Sequence, residues 1–502
     1  MNPEMVMRLD KDFLWSVLPD AVVAHGQFPE DFLFCVDTRS LQKGDIFIAL
    51  KGKQTDGHLF VKDALQKHAG GIFIEKSKQD LLKDLDQDLL KKKLVVLVDN
   101  ALSALTLLAT AWRQRFDYPV VGITGSVGKT STKEVLARIV AESGKNYLVS
   151  RGNQNSVIGL SLNVLRMRPT HEGAIFELGI NKRGEMETLV DIAKPTIGLI
   201  TGVGHTHMAG LGAVADIAAE KRIIFKYFKE ENIGVINGDQ PMLSSIGYAH
   251  PVIRFGCKTT NQIQARKVRI NESSIDFVLK IYHKKYSIRM QGTHIGVVFN
   301  AIAAACVARL LGIHDDVILK GIQQQIVVPG RFECKKLTTG KGSLIDDCYN
   351  ASPESVKAAL LAFEKIETQA KKILVFGDML ELGVDSAFWH RQIGRFLRKA
   401  PSVHTVILVG SLVKWVSKTL PVGIKVELVA TWQEAVELLK KLVAQESLLL
   451  VKGSTAGYTN GLVHLVRHFT ANPQNGQDIQ LIAATAMKDD ILHTKKKERT
   501  LS

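Results

Sequence analysis

The chain alternates between short apolar runs and longer segments whose apolar residues recur at helical spacing. The runs rich in branched apolar side chains lie at residues 45–50, 71–75, 94–98, 120–123, 174–177, 197–201 and 233–237. The intervening segments, such as 60–67, 101–116 and 131–142, place apolar residues on one helical face. This alternation predicts an α/β fold with mostly parallel sheets.

With 502 residues, the chain is long enough for three domains that each bury a core. We predict a small α/β N-terminal domain at 1–100, a central P-loop mononucleotide-binding domain with a parallel sheet at 101–329, and a Rossmann-like C-terminal domain at 330–470. Residues 471–502 are polar and end in TKKKERTLS, which predicts a disordered tail.

The apolar run at 120–123 leads directly into the glycine-rich segment TGSVGKTS. A strand, a tight glycine turn and a helix N-terminus together form a phosphate-binding cradle, in which a lysine reaches the outer phosphates and a hydroxyl holds Mg²⁺. The predicted nucleotide-binding residues are Gly125, Ser126, Gly128, Lys129, Thr130 and Ser131. The strict P-loop pattern needs a glycine where Ile123 stands, so a strand–helix turn with a solvated lysine is the alternative.

The composition indicates a globular protein without a membrane span or a secretory signal. The chain is 46% hydrophobic, and it has no run of about 18 apolar residues, so we expect no membrane span. Its start, MNPEMVMRLDKDFLW, carries acids and lacks an apolar core, so we expect no secretory signal. Five scattered cysteines without metal-binding spacing favour a reducing cytoplasm.

The formal net charge of +15 raises the question of nucleic acid. The lysines are spread along the chain beside acidic residues, and no aromatic residues alternate with them, so solvated surface is the favoured interpretation and no nucleic-acid partner is expected. A basic P-loop ATPase that binds nucleic acid or a partner is the alternative from another class.

Three further polar residues follow strands of the predicted central sheet. They are Glu177 in IFELGIN, His207 in TGVGHTHMAGLG and Lys221 in AAEKRIIF. Parallel sheets bind ligands at the carboxyl ends of their strands, and Mg²⁺ needs few protein ligands. Each of the three could instead be a buried, paired core residue.

Across these residues the chain resembles the Mur ligases, the ATP-dependent amide-bond enzymes of peptidoglycan precursor synthesis. The segments DDCYNASP, FGDMLELG and VKGS in the third domain look most like the branch that joins D-alanyl-D-alanine to UDP-N-acetylmuramoyl-tripeptide. In the first domain, DTRSLQKGDIFIALKG followed by DGHLF is similar to the uridine-nucleotide domain of the family. A family sibling that adds a single amino acid is the alternative.

The resemblance implies an ADP-forming, cytoplasmic, monomeric ligase that works through an acyl phosphate and uses ATP with two Mg²⁺ ions. Catalytic roles fall to Lys129, Lys221, His207 and Asn155. The implied Mg²⁺ ligands are Thr130, Glu177, His207 and Lys221, the last as a carbamate.

The resemblance also assigns binding residues outside the central domain. In the third domain, Arg331, Asp347 and Asn350 match positions that contact ATP. In the first domain, Thr38 and Arg39 are the candidates for the uridine nucleotide. The sequence leaves open whether the tripeptide ends in diaminopimelate or lysine.

Overall fold

The structure is a computed structural model that describes residues 9–26, 29, 32–52, 55–339, 342–443, 446–454 and 461–470. The chain divides into two compact units. The first ends at Ile326, and the second begins at Val327 and also takes in two short segments, Ile270–Ser274 and Gly292–Ile295. The predicted disordered tail at 471–502 lies outside the described residues.

The first unit opens with a five-stranded sheet in the order β1-β5-β4-β3-β2. Its strands are β1 (Val22–His25), β2 (Phe34–Cys35), β3 (Ile46–Ile48), β4 (Gly71–Glu75) and β5 (Leu94–Val98). The helices here are α1 (Lys11–Val17), α2 (Val61–Gln66), α3 (Gln87–Lys91) and α4 (Ala101–Arg113), with 3-10 turns at Gly57–Phe60 and Lys76–Asp84. All pairs are parallel except β1 with β5.

A nine-stranded sheet follows in the same unit, in the order β14-β13-β12-β11-β10-β9-β6-β8-β7. Its strands are β6 (Val120–Thr124), β7 (Tyr147–Val149), β8 (Gly173–Glu177), β9 (Ile197–Ile200), β10 (Ile233–Asn237), β11 (Val252–Gly256), β12 (Ile263–Ile270), β13 (Ser274–Ile281) and β14 (Lys284–Gln291). Strands β7, β8, β6, β9, β10 and β11 are paired in parallel, so their carboxyl ends share one edge.

Helices cover this second sheet. They are α5 (Lys129–Glu142), α6 (Val157–Val164), α7 (Glu185–Ala193), α8 (Met208–Leu211), α9 (Val214–Arg222), α10 (Pro241–Ser244), α11 (Gly296–Leu310) and α12 (Asp315–Gln323), with a 3-10 turn at Ile223–Phe225. Strands β6 and β8 are buried along their whole length, which is expected of parallel strands covered on both faces. The sheet edge at the end of β6 therefore rests on a rigid core.

The second unit contains a six-stranded sheet in the order β15-β16-β20-β17-β18-β19. Its strands are β15 (Glu333–Lys336), β16 (Gly342–Asp347), β17 (Lys371–Gly377), β18 (Val403–Val409), β19 (Lys425–Val429) and β20 (Ser447–Lys452). The helices are α13 (Pro353–Lys365), α14 (Ser386–Phe396), α15 (Lys414–Ser417), α16 (Trp432–Leu442) and α17 (Gly461–Phe469), with 3-10 turns at Gly383–Asp385 and Leu397–Lys399. All pairs except β15 with β16 are parallel.

The predicted α/β class with parallel sheets is confirmed by these three sheets. Differences from the predicted elements occur mainly at their ends: helix α5 begins at Lys129 rather than at residue 131, and α4 ends at Arg113 rather than at 116. In the part of the chain that the structure describes, no helix has both the length and the apolar character to cross a membrane. The division into three domains stays a prediction.

Arg113 joins α4 to the sheet that follows it. Its buried guanidinium donates to the carbonyl oxygens of Ala193 at 2.7 Å, Phe116 at 2.6 Å and Lys194 at 3.0 Å. Burial lowers the pKa of this side chain. The three bonds satisfy carbonyls at the end of α7 and in the turn before β6, so Arg113 fixes where β6 begins.

We expect Arg113→Met to lower the free energy of unfolding by about 3 kcal/mol, because three carbonyl oxygens lose their donor. Chemical denaturation followed by circular dichroism measures the change. The matched control is Arg138→Met, which removes an exposed arginine from α5 and is expected to stay within about 0.5 kcal/mol of the parent. Equal stability of the two variants would contradict this role for Arg113.

Candidate functional site: a phosphate-binding loop at the edge of the central sheet

The glycine-rich segment forms a tight loop between β6 and α5. Gly125 has φ +152°, and a Cβ there would lie 1.9 Å from the Thr201 hydroxyl oxygen. Gly128 has φ +86° and precedes the first residue of α5. Because both conformations and the close approach exclude ordinary side chains, these two glycines fix the path of the loop.

Thr201, at the end of the neighbouring strand β9, holds the loop from beneath. Its buried hydroxyl lies 2.6 Å from the carbonyl oxygen of Val127 and 3.2 Å from that of Thr124. Ser126 is tied to the same strand end, since its N–H donates to the Gly202 carbonyl at 2.8 Å. The loop is therefore held in shape by the protein itself.

Lys129, Thr130 and Ser131 form the first turn of α5. The Lys129 ammonium donates to the Gly125 carbonyl at 2.8 Å, which curls the side chain over the loop. Thr130 is buried and Ser131 half-buried. The N-terminus of this 14-residue helix carries N–H groups that suit an anion.

Glu177 ends β8, beside Ile123 at the end of β6. Its side chain is 1% exposed. Asn155 donates its amide N–H to Glu177 Oε1 at 2.8 Å. Among the residues that the structure describes, Oε2 of the same carboxylate has no hydrogen-bond partner. A buried carboxylate oxygen without a donor is costly, and a bound cation would remove that cost.

Lys221 lies near the end of α9 and is 1% exposed. Burial lowers the pKa of its amine well below the usual value, and the positive charge of Lys129 lowers it further, whereas Glu220 acts in the opposite direction. Since Lys129 acts on Lys221 electrostatically, the structure brings the two predicted catalytic lysines together. The lowered pKa favours the neutral, nucleophilic amine.

His207 immediately precedes α8 in a left-handed conformation with φ +57°. Such a conformation is strained for a residue with a side chain and occurs often at functional sites. Beside it, the buried Thr206 hydroxyl has no hydrogen-bond partner in the described part of the chain. The described residues contain no group of three or more His, Cys, Asp and Glu side chains that could hold a metal by themselves.

In the second unit, Asp347 and Asn350 follow the end of β16. Lys452, at the end of the neighbouring strand β20, lies 3.0 Å from the Asp347 carboxylate and donates to the backbone carbonyl of Asn350. The Asn350 side-chain oxygen lies 2.9 Å from the Ser454 hydroxyl. The structure thus brings Asp347 and Asn350 to one sheet edge of this unit.

Arg331 belongs to the same unit. Its guanidinium stacks on the Tyr349 ring, 4.1 Å from the ring centre. The neighbouring residue Phe332 packs against the His294 ring, with the ring centres 5.3 Å apart. Burial lowers the pKa of His294, so this ring is kept neutral.

Thr38 and Arg39 lie in the turn between β2 and β3, in the first unit. Thr38 is buried, and its carbonyl oxygen accepts a hydrogen bond from Lys67 at 3.0 Å. Arg39 is exposed and forms a two-pronged pair with Asp37, whose pKa this hydrogen bonding lowers to about 2. The structure does not join these two side chains to the phosphate-binding loop through any contact among the described residues.

Comparisons with known proteins agree with this arrangement. The Mur ligase middle domain profile matches residues 123–308, and the profile of the Mur ligase glutamate ligase domain matches residues 330–455. The UDP-N-acetylmuramoyl-tripeptide–D-alanyl-D-alanine ligase of Bacillus subtilis is 33% identical over 83% of this chain and 89% of its own length.

The chain belongs to the Mur ligase family.

Solved structures support the same grouping. A crystal structure of MurF from Acinetobacter baumannii shares the Mur ligase fold with a TM-score of 0.76, at 24% identity, over 91% of this chain and 98% of its own. The MurF ligase of Thermotoga maritima in complex with ADP gives a TM-score of 0.72 at 26% identity, over 86% of this chain and 96% of its own.

Several residues that support the phosphate-binding loop of the first unit, or Asp347 and Asn350 in the second unit, are absent from the predicted site residues. Thr201 supports the loop from another strand, Lys452 holds Asp347 and Asn350, and Asn300 accepts a hydrogen bond from Thr132 at 3.2 Å. Their contacts join segments far apart in the chain. The one signal available in the sequence is that Thr201, like Glu177, is a polar residue ending an apolar strand.

We expect Gly125→Ala to weaken ADP binding about 100-fold. The new Cβ would clash with the Thr201 hydroxyl, and moving these packed groups apart costs about 3 kcal/mol. Isothermal titration calorimetry with ADP and Mg²⁺ measures this.

The control for this variant is Gly144→Ala. Gly144 also has positive φ, at +75°, but a Cβ there has no neighbour within 4 Å. This control is expected to lose about 1 kcal/mol of stability and to keep its ADP affinity. Unchanged ADP affinity in Gly125→Ala would show that the loop does not form the phosphate site.

Proposed function

We propose that this Mur ligase joins D-alanyl-D-alanine to UDP-N-acetylmuramoyl-tripeptide with conversion of ATP to ADP and phosphate, as MurF enzymes do. The observation that carries the proposal is the phosphate-binding loop beside the buried Glu177, in a chain 33% identical to the UDP-N-acetylmuramoyl-tripeptide–D-alanyl-D-alanine ligase of Bacillus subtilis. Because the reaction consumes ATP, we expect it in the cytoplasm.

ATP is the proposed cofactor, and its phosphates would lie against the loop from Gly125 to Ser131. Support comes from the N–H groups at the start of α5, from Lys129, and from the ADP complex of the Thermotoga maritima relative. Asp347, Asn350 and Arg331 are the proposed contacts of the second unit with the nucleotide. Lys452 fixes Asp347 and Asn350 and so supports that assignment.

Mg²⁺ fits the residues present. The unpartnered Glu177 Oε2 and the Thr130 hydroxyl are hard oxygen ligands, and phosphate oxygens and water would complete the set. When bound, the ions would neutralise charge on the phosphate oxygens. His207 and a carbamate on Lys221 are the proposed ligands of the second ion.

Carbamate formation on Lys221 is chemically consistent with its surroundings. A neutral amine adds to CO₂ through its lone pair, loses one proton and becomes an N-carboxylate with two oxygen ligands. Burial and the charge of Lys129 both favour the neutral amine that this addition needs. A carbamate also replaces a cation with an anion, which relieves repulsion from Lys129.

The proposed reaction has two steps. First, the terminal carboxylate of the tripeptide attacks the γ-phosphorus of ATP, forming an acyl phosphate and releasing ADP. The amine of D-alanyl-D-alanine then attacks the carbonyl carbon, the amide forms, and phosphate leaves with loss of one proton from nitrogen. Lys129 would offset charge on the transferring phosphoryl group, and Asn155 would hold Glu177 in position.

The uridine nucleotide is proposed to bind at the β2–β3 turn of the first sheet. Thr38 is buried there, whereas Arg39 is exposed and would have to exchange its pairing with Asp37 for the ligand. Because Arg39 is exposed to water, which screens its attraction to Asp37, this exchange costs little.

The proposed function is tested by phosphate release from a matrix of UDP-muramoyl peptides, amino acids and dipeptides. We expect turnover only when a UDP-N-acetylmuramoyl-tripeptide and D-alanyl-D-alanine are both present. Turnover with UDP-muramoyl-dipeptide and a single amino acid would favour the sibling reaction. ATPase activity stimulated by DNA or RNA and steeply lowered by salt would favour a nucleic-acid-dependent enzyme instead.

We expect Lys221→Ala to lower the rate of ligation about 100-fold, because an anionic metal ligand is lost. Added acetate or formate should restore part of the rate, since a free carboxylate can take the place of the carbamate. Steady-state phosphate release measures both effects. Lys229→Ala, which removes an exposed lysine just beyond α9, is the control and should match the parent. Full activity of Lys221→Ala would refute the carbamate.

A further inference from the structure

Lys133 is a charged residue in α5 that the reaction proposed above does not use. It lies one helical turn after Lys129, and its side chain is 0% exposed. Lysine is rarely buried completely, because removing an ammonium from water is costly unless it is fully paired. A lysine at this depth therefore has a specific set of partners.

The Lys133 ammonium has three oxygen partners, two that accept its hydrogen bonds and one that forms an ion pair with it. They are the carbonyl oxygens of Ser150 at 3.0 Å and Gly152 at 2.7 Å, and Glu134 Oε1 at 3.0 Å. Two of the three are backbone atoms in the turn between β7 and α6. Lys133 thus ties the helix of the phosphate-binding loop to a turn from a different part of the sheet.

That turn carries Asn155. Its residues from Arg151 to Gln154 are exposed. The Ser150 hydroxyl accepts the Glu177 N–H at 3.2 Å, and the Asn155 carbonyl accepts the Gly179 N–H at 2.9 Å. These two bonds tie the ends of the turn to Glu177 and Gly179, and the exposed residues between them are held by side chains from neighbouring helices.

The turn has a second anchor on α6. Asn163 Oδ1 accepts the Arg151 N–H at 3.1 Å, and its amide donates to the side-chain oxygen of Gln154 at 3.1 Å. Asn163, like Lys133, is completely buried. The two anchors approach the turn from α5 and α6.

We propose that Lys133 is a positioning residue for the divalent cation. It holds the 150–155 turn so that Asn155 donates a hydrogen bond to Glu177 Oε1. The other carboxylate oxygen, Oε2, then remains available to the metal. Without Lys133 the turn moves outward, Asn155 releases Oε1, and the carboxylate rotates away from a single orientation. The phosphate-binding loop has its own supports, the close approach of Gly125 to Thr201 and the bonds of Thr201 to Val127 and Thr124, so we expect its affinity for phosphate to be unaffected.

This inference rests on the proposed nucleotide and metal site. It predicts that the affinity for ADP changes in the presence of Mg²⁺ but not in its absence. The affinity of the full-length chain for ADP is measured by calorimetry with excess Mg²⁺ and again with EDTA, and the ratio of the two gives the Mg²⁺ enhancement. In Lys133→Met we expect the EDTA affinity to stay within twofold of the parent and the enhancement to fall at least tenfold. Arg138→Met on the exposed side of α5 is the matched control and should keep both values.

A second variant keeps the inference testable if Lys133→Met does not fold. Asn163→Ala removes the other anchor and should also lower the enhancement while leaving the EDTA affinity within twofold. Thermal unfolding of each variant reports the purely structural effect.

Three outcomes would overturn the inference. An unchanged enhancement in the folded variants would show that the turn does not orient Glu177. An equal loss of affinity with and without Mg²⁺ would show that Lys133 only supports the loop. No enhancement in the parent chain would remove the metal site itself, and so would count against the proposed function as well.

Discussion

The close approach between Gly125 and the Thr201 hydroxyl is the constraint on which the rest of the site depends. A hydroxyl 1.9 Å from where a Cβ would stand leaves room for glycine alone. Because the same hydroxyl holds the carbonyls of Val127 and Thr124, strands β6 and β9 and the loop form one rigid element. Helix α5 therefore begins at a fixed position, and the free N–H groups of its first turn point toward the space above the loop.

The second feature of the site is that several of its charged side chains are buried. Glu177, Lys133 and Lys221 are nearly or completely buried within the first unit. Lys133 is paired with two carbonyl oxygens and the Glu134 carboxylate, whereas Glu177 Oε2 has no hydrogen-bond partner among the described residues, and burial lowers the pKa of Lys221. A site that buries charged side chains without pairing all of them is suited to bind a cation and phosphate together. Each bound ion then stabilises the binding of the other.

How far the sequence predicts this molecule depends on the range of the interactions. Strands β4 and β5 agree with prediction to the residue, because a strand buried on both faces is a continuous apolar run. Strand β1 is absent from the prediction, since it is a short edge strand with half-exposed side chains. The predicted start of α5 lies two residues too late, because the helix is preceded by the left-handed Gly128 and no side chain caps it.

The same reasoning applies to the site. TGSVGKTS is a local pattern whose chemistry follows from its own backbone, so its residues were named from sequence. Thr201, Lys133 and Lys452 act through atoms distant in the chain, and a lysine or threonine by itself gives no sign of such a partner. The roles of all the predicted site residues stay predictions, including those of Lys129, Glu177 and Lys221.

The central claim is that the phosphate held by this loop activates a carboxylic acid. It is tested most directly by ligation with UDP-N-acetylmuramoyl-tripeptide labelled with ¹⁸O in its terminal carboxylate, followed by mass spectrometry of the phosphate released. An acyl phosphate transfers one carboxylate oxygen to phosphorus, so the account predicts one ¹⁸O in each molecule of phosphate. Unlabelled phosphate from a productive ligation would contradict it.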